Sequence, residues 1–132
     1  KIPATVHVAI GTDIIHQHPS CDGAAVGETS LADFRMLTKV VSGIGDGGVV
    51  LNVGSAVILP EVFLKAVSVS RNLGFSVKNF TAANLDMIPH YRPHQNVLSR
   101  PTALGGEKIN LIGHHEILVP LLYAALMEKL KR

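Results

Sequence analysis

The chain has 132 residues, 47% of them hydrophobic and 17% charged, with a net charge of +2 and one cysteine, Cys21. With no Lys/Arg cluster before the short basic tail at 129–132, that balance argues against nucleic acid as the main partner. A lone cysteine excludes an internal disulfide framework and fits a reducing, cytoplasmic compartment, and no apolar run approaches the roughly 18 residues of a membrane span.

The length predicts one α/β domain over residues 1–132. The chain starts at Lys1-Ile2-Pro3 and runs straight into a strand-like stretch, which is expected of the C-terminal part of a longer chain. A charged fraction below the roughly 25% usual for soluble domains implies a further buried surface, so a homo-oligomer is expected.

In chain order, residues 5–10 read as a first strand rich in Val and Ile, followed by a long loop over 11–29. Residues 30–41 read as a helix with Phe34, Leu37 and Val41 on one face, and Ser30 with Asp33 resembles a capping box. The glycine-rich stretch 43–48 reads as a flexible linker, because it precedes a strand rather than following one as a dinucleotide fingerprint requires. Residues 48–53 read as a strand covered on both faces. The next helix spans 60–73, with Pro60 in its first turn and Gly74 as its stop signal. Strands are predicted at 76–82 and 108–112, separated by a second long loop over 86–107. The nearly all-apolar helix at 119–130 is expected to be deeply buried, against another subunit. Strand–helix alternation implies parallel pairing and right-handed crossovers, hence a three-layer, Rossmann-like sandwich with its ligand crevice at the carboxyl ends of the strands.

Four constellations carry chemistry. The turn Gly54-Ser55 leaves a buried strand and enters a helix, where backbone amides can meet a phosphate. The first long loop holds Asp13, His16 and His18, open to three roles: zinc ligands, acid/base or substrate-binding groups, or an inert polar loop. His90, Arg92 and His94, with Tyr91 between them, suit an anionic substrate group. Glu28 and Asp33 flank the predicted start of the second element, where a carboxylate can hold a ribose or an amine.

The order of these pieces resembles the C-terminal, nucleotide-binding half of deoxyhypusine synthase and its bacterial relatives. The resemblance runs through Gly27-Glu28-Thr29-Ser30-Leu31-Ala32-Asp33-Phe34, Gly48-Val49-Val50-Leu51-Asn52-Val53-Gly54-Ser55, Asn84 and Val119-Pro120-Leu121-Leu122. That family binds NAD at the subunit interfaces of a tetramer and transfers an aminobutyl group from spermidine to a lysine of a translation factor. The resemblance implies an NAD-binding fold, a tetrameric homo-oligomer, and a cofactor pocket of Glu28, Asp33, Gly54, Ser55, Asn84 and His114. His114 stands where the family has an aspartate, and Gly106-Glu107-Lys108 is the nearest counterpart of its Trp-Gly-Lys motif. The family's acidic run is replaced by residues 90–94, whose Arg92 and imidazoles repel a polyamine.

The expected function is therefore an NAD-dependent, deoxyhypusine synthase-like enzyme, of transferase or oxidoreductase type, acting on a small anionic molecule rather than a polyamine. His16, His18 or His90 serves as general base and Lys108 as a Schiff-base or acid residue, with Asp13, Arg92 and His94 holding substrate. Two alternatives stand beside it. One is a metal-dependent hydrolase or lyase using Asp13, His16, His18 and His114. The other is a non-catalytic assembly domain.

Overall fold

Val49–Val53, Phe80–Asp86 and Gly106–Ile112 form β1, β2 and β3 of an open parallel sheet in the computed structural model, which describes residues 2–131. The strand order is β1-β2-β3, and the register sets Asn52 beside Asn84 and Asn84 beside Asn110. The helices are α1 (Gly23–Val41), α2 (Ile58–Asn72) and α3 (His115–Leu130). The connection from β2 to β3 carries a seven-residue π-helical stretch, Pro93–Ser99, and a 3-10 turn, Pro101–Leu104. This is an α/β architecture compatible with a Rossmann-like arrangement.

One face of the sheet is closed by α2 and the π-helical stretch, with α1 packed on α2. Phe80 and Ala82 of β2 meet Phe63, Ala66 and Val67 of α2 and Val97 and Leu98 of the π-helical stretch. The Phe63 and Phe80 rings meet edge to face, 6.3 Å between centroids, a geometry that adds about 1 kcal/mol to simple burial. Ala82 and Ala83 have low strand propensity yet both are buried, Ala82 within the core on the helix-covered face. The end of α2 is set by Gly74 at φ +90, whose N–H donates to Arg71 O while Phe75 N–H donates to Ser70 O. That pair of bonds is a Schellman stop. Arg71 reaches past it to donate to the carbonyls of Val77 and Pro101, and burial lowers its pKa.

The other face is mostly open. Val49, Leu51, Val53, Ile109 and Leu111 remain exposed, and the first turn of α3 reaches the sheet at Leu85 O through His115. Beyond it α3 has no buried residue, with Leu121 63% and Tyr123 64% exposed. The deep burial expected of this helix is not realised within the described residues.

Several sequence expectations shift. Residues 5–10 are not a strand, since they pair with no other strand and lie along the first half of α1, where Asp33 Oδ2 accepts from Val6 N–H at 2.8 Å. Helix α1 begins seven residues before Ser30, because Asp22 is its cap and accepts from Ala24 N–H at 2.8 Å and from Ala25 N–H at 3.4 Å. Strand β2 starts at Phe80 rather than at residue 76, because Asn79 adopts φ +54 and breaks the extended run. The stretch 43–48 is no flexible linker. Asp46 N–H donates to Lys78 O and Gly47 N–H to Asn79 O, clamping the turn onto the start of β2.

Candidate functional site at the carboxyl edge of the sheet

Side chains two apart on a strand share a face, and along the covered face of β2 they run Phe80, Ala82, Asn84, Asp86. The face therefore passes from apolar at its amino end to polar at its carboxyl end. Asn84 accepts from Asn52 Nδ2 at 2.7 Å and donates to Asn110 Oδ1 at 2.9 Å, so one row of amides crosses all three strands. Asn52 Nδ2 donates also to Ser55 O at 2.9 Å and ties the row to the turn after β1. That turn is Gly54-Ser55, with Gly54 at φ +66, and Ser55 Oγ accepts from Leu59 N–H in the first turn of α2.

One row closer to the edge stands Asp86, only 7% exposed. Its Oδ1 accepts from Met87 N–H at 2.8 Å, while Oδ2 is buried with no hydrogen-bond partner. His90 Nε2 lies 3.8 Å from that oxygen, beyond hydrogen-bond range. A buried, unpaired carboxylate oxygen is destabilising unless something satisfies it. Here the chain supplies no donor, so the oxygen is suited to a hydroxyl or ammonium group, which reaches it only when the side chains that enclose it move aside.

The neighbouring groups are also polar. Leu85 O accepts from Gly54 N–H at 3.0 Å and contacts His115 Nε2 at 3.1 Å, which turns the His115 ring inward beneath Gly54. His114 caps the backbone of α3 and stays exposed, so the two adjacent histidines diverge. Glu61, one turn into α2, accepts from Asn96 Nδ2 at 2.6 Å and from Lys65 at 2.7 Å, with Arg92 Nε 3.5 Å away. The Lys65 hydrogen bond, then the charges of Lys65 and Arg92 and the Asn96 amide, lower the Glu61 pKa against an opposing effect of burial. A carboxyl lowered in the folded state stabilises it above its unfolded pKa, and that contribution fades as pH falls through the folded value. Glu61→Gln is thus expected to lower the unfolding midpoint at neutral pH, with the two proteins converging in acid. Midpoints compared from pH 7 to pH 3 test this, and a constant gap across the range would refute it.

Of the residues singled out from sequence, the edge gathers Gly54, Ser55, Asn84 and His90, with Arg92 beside them at Glu61 and His114 opening the helix after β3. The others lie elsewhere. Asp13 Oδ2 closes its own turn on Ala9 N–H at 2.7 Å, and His18 Nδ1 contacts Ser20 Oγ at 2.7 Å. His16 sits in the 3-10 turn Ile14–Gln17 with both ring nitrogens enclosed and unpaired. Glu28 is exposed on α1, Asp33 is engaged with Val6, His94 is exposed beside Gln95, and Lys108 is exposed on β3. Among the described residues no three His, Cys, Asp or Glu side chains converge as metal ligands, so Asp13, His16, His18 and His114 are not assembled into the metal set considered above. Asp86 was not singled out from sequence. Its signal is the alternation Phe80, Ala82, Asn84, Asp86, which becomes visible once the strand is placed correctly.

No family model, curated protein or solved structure matches the chain.

Proposed function

We propose that this chain is the nucleotide-binding domain of an NAD-dependent, deoxyhypusine synthase-like enzyme acting on a small molecule, with its ligand at the carboxyl edge of the sheet. The observation that carries the reading is the buried Asp86 Oδ2, which lacks a donor from the protein. Open α/β sheets bind their ligands at the carboxyl ends of the strands, and a carboxylate there suits a ribose hydroxyl. The Ser55 amide suits a phosphate, the Gly54 N–H being held by Leu85 O, and His90 stands 3.8 Å from Asp86 Oδ2. Asn84, 2% exposed and bonded on both sides, acts as a support for Asp86 rather than as a contact. Glu28 and Asp33 take no part in this arrangement. The complete three-layer fold and the oligomer belong to the same reading, since the open sheet face and α3 are the surfaces that further layers or subunits cover.

The test is Asp86→Asn on the full-length protein, read for both stability and binding. Replacing a buried carboxylate whose Oδ2 has no hydrogen-bond donor is expected to raise the unfolding free energy by about 1 kcal/mol. The same change is expected to weaken NAD binding about tenfold in a calorimetric or thermal-shift titration. A variant that is more stable and binds less identifies Asp86 as a ligand group. If the native protein shows no NAD or NADP response, the cofactor assignment fails. If Asp86→Asn binds as tightly as the native protein, the site assignment fails.

A further inference from the structure

A cavity remote from the carboxyl edge of the sheet lies between α1 and the end of α2 and has a volume of about 280 Å³. Its apolar lining is Phe34 of α1, Val69 of α2, and Leu73 and Phe75 of the Schellman stop. Leu73 is 68% and Phe75 50% exposed, so the stop that ends α2 holds two large apolar side chains toward solvent. The rest of the lining is the hydroxyl residues Thr38 and Ser42, which donate to Phe34 O and Lys39 O, and two cations. Arg35 and Lys39, one helical turn apart, both line it and both are exposed. No acidic residue lines the cavity, and neither cation has an ion-pair partner among the described residues. Like charges at this spacing on a helix repel one another slightly, and an anion between them reverses the sign of that interaction.

The geometry points to a binding site for a small amphiphilic carboxylate, whose acyl or aryl part fills the Phe34–Leu73–Phe75 cleft while its carboxylate pairs with Arg35 and Lys39. The volume of about 280 Å³ falls just below the roughly 300–1,000 Å³ typical of small-molecule pockets, which favours a compact ligand over a peptide helix. This proposal is independent of the nucleotide reading, because it shares no residue with the carboxyl edge.

Octanoate is the probe, titrated into the ¹⁵N-labelled full-length protein, with acetate and octanol as controls. Octanoate is expected to shift amide signals of residues 34–42 and 69–75 saturably. Acetate, lacking the tail, is expected to leave them unmoved, and octanol, lacking the charge, to bind about tenfold more weakly. The double variant Arg35→Glu, Lys39→Glu changes only exposed side chains. It is expected to keep its unfolding midpoint while losing octanoate affinity by about tenfold. Equal binding of octanol and octanoate, shifts confined to other residues, or no saturable shift at all would each overturn the proposal. Binding to phosphatidylglycerol vesicles without any response to octanoate would overturn it in favour of a membrane-facing surface.

Discussion

Replacing Asn84 with Leu is expected to lower the unfolding free energy by about 3 kcal/mol, a large effect for a change of similar volume. Asn84 is the middle member of the amide row, and both ends of its amide are in use. Leucine leaves one hydrogen of Asn52 Nδ2 without an acceptor in a buried place, while the bond from Asn52 to Ser55 O persists. Asn110 lies on an exposed strand, so its freed oxygen reaches water and adds little. Asn84→Asp separates the polar from the steric contribution. Its carboxylate still accepts from Asn52 but opposes Asn110 Oδ1, and the buried charge has no cation beside it. Its folded pKa is therefore raised above the unfolded one. The deficit is then greatest at neutral pH and shrinks as pH falls and the carboxyl protonates, becoming able to donate to Asn110. Chemical denaturation of both variants at pH 7 and pH 4.5 decides the matter. Should Asn84→Leu match the native protein within 0.5 kcal/mol on the scale of neutral surface changes, the row contributes nothing to stability. Because Asn84 stands two residues before Asp86 on the same face of β2, Asn84→Leu is expected also to loosen the ligand position at the edge.

The sequence carries the regular elements where local and tertiary preferences agree. Val49-Val50-Leu51 has strand composition and becomes β1, although the cover expected on both faces is present on one only; Pro60 and Gly74 bracket α2, whose observed bounds differ by two residues or fewer. It misleads where they conflict. Residues 5–10 have strand composition, but a strand exists only where another offers its backbone, and the three-stranded sheet does not reach them. Val77 looks like strand, yet it is a core plug ahead of the turn at Asn79, and Ala82-Ala83-Asn84 looks unlike strand yet fills the centre of the sheet. Asp22 before Gly23 is a cap signal as good as Ser30, but the glycines at 23 and 27 obscure the helix behind it. The site follows the same pattern. Gly54 and Ser55 are legible because a tight turn from a strand into a helix has few forms. Asp86 is illegible because its significance rests on an oxygen left without a donor, a property of packing rather than of residue order.

Gly48→Ala is expected to be among the most damaging single substitutions, lowering stability by about 3 kcal/mol or more through backbone overlap. A methyl at Gly48 falls on the backbone of Ile44, against its Cα, C and O atoms, and a backbone has no far end that can swing aside. Gly48 N–H donates to Ile44 O at 3.1 Å and its carbonyl accepts from Thr81 N–H at 2.9 Å, so one residue both closes the turn and opens the β1–β2 ladder. Moving it away from Ile44 opens the clamp of Asp46 and Gly47 on Lys78 and Asn79. Two other glycines calibrate the effect. Gly47 has φ +108 with open space around its Cβ position, so Gly47→Ala meets conformational strain alone, about 1–2 kcal/mol. Gly23, the first residue of α1, has ordinary φ and open space, so Gly23→Ala is expected to stabilise by about 0.5 kcal/mol through the unfolded chain. The order Gly48, then Gly47, then Gly23, in equilibrium unfolding of the three variants, tests whether this turn is a rigid bracket. If Gly48→Ala unfolds within 1 kcal/mol of the native protein, a range typical of ordinary substitutions, the turn yields as a linker does. It would then not fix the start of β1, nor the register that sets Asn52 against Asn84 below the Gly54 turn.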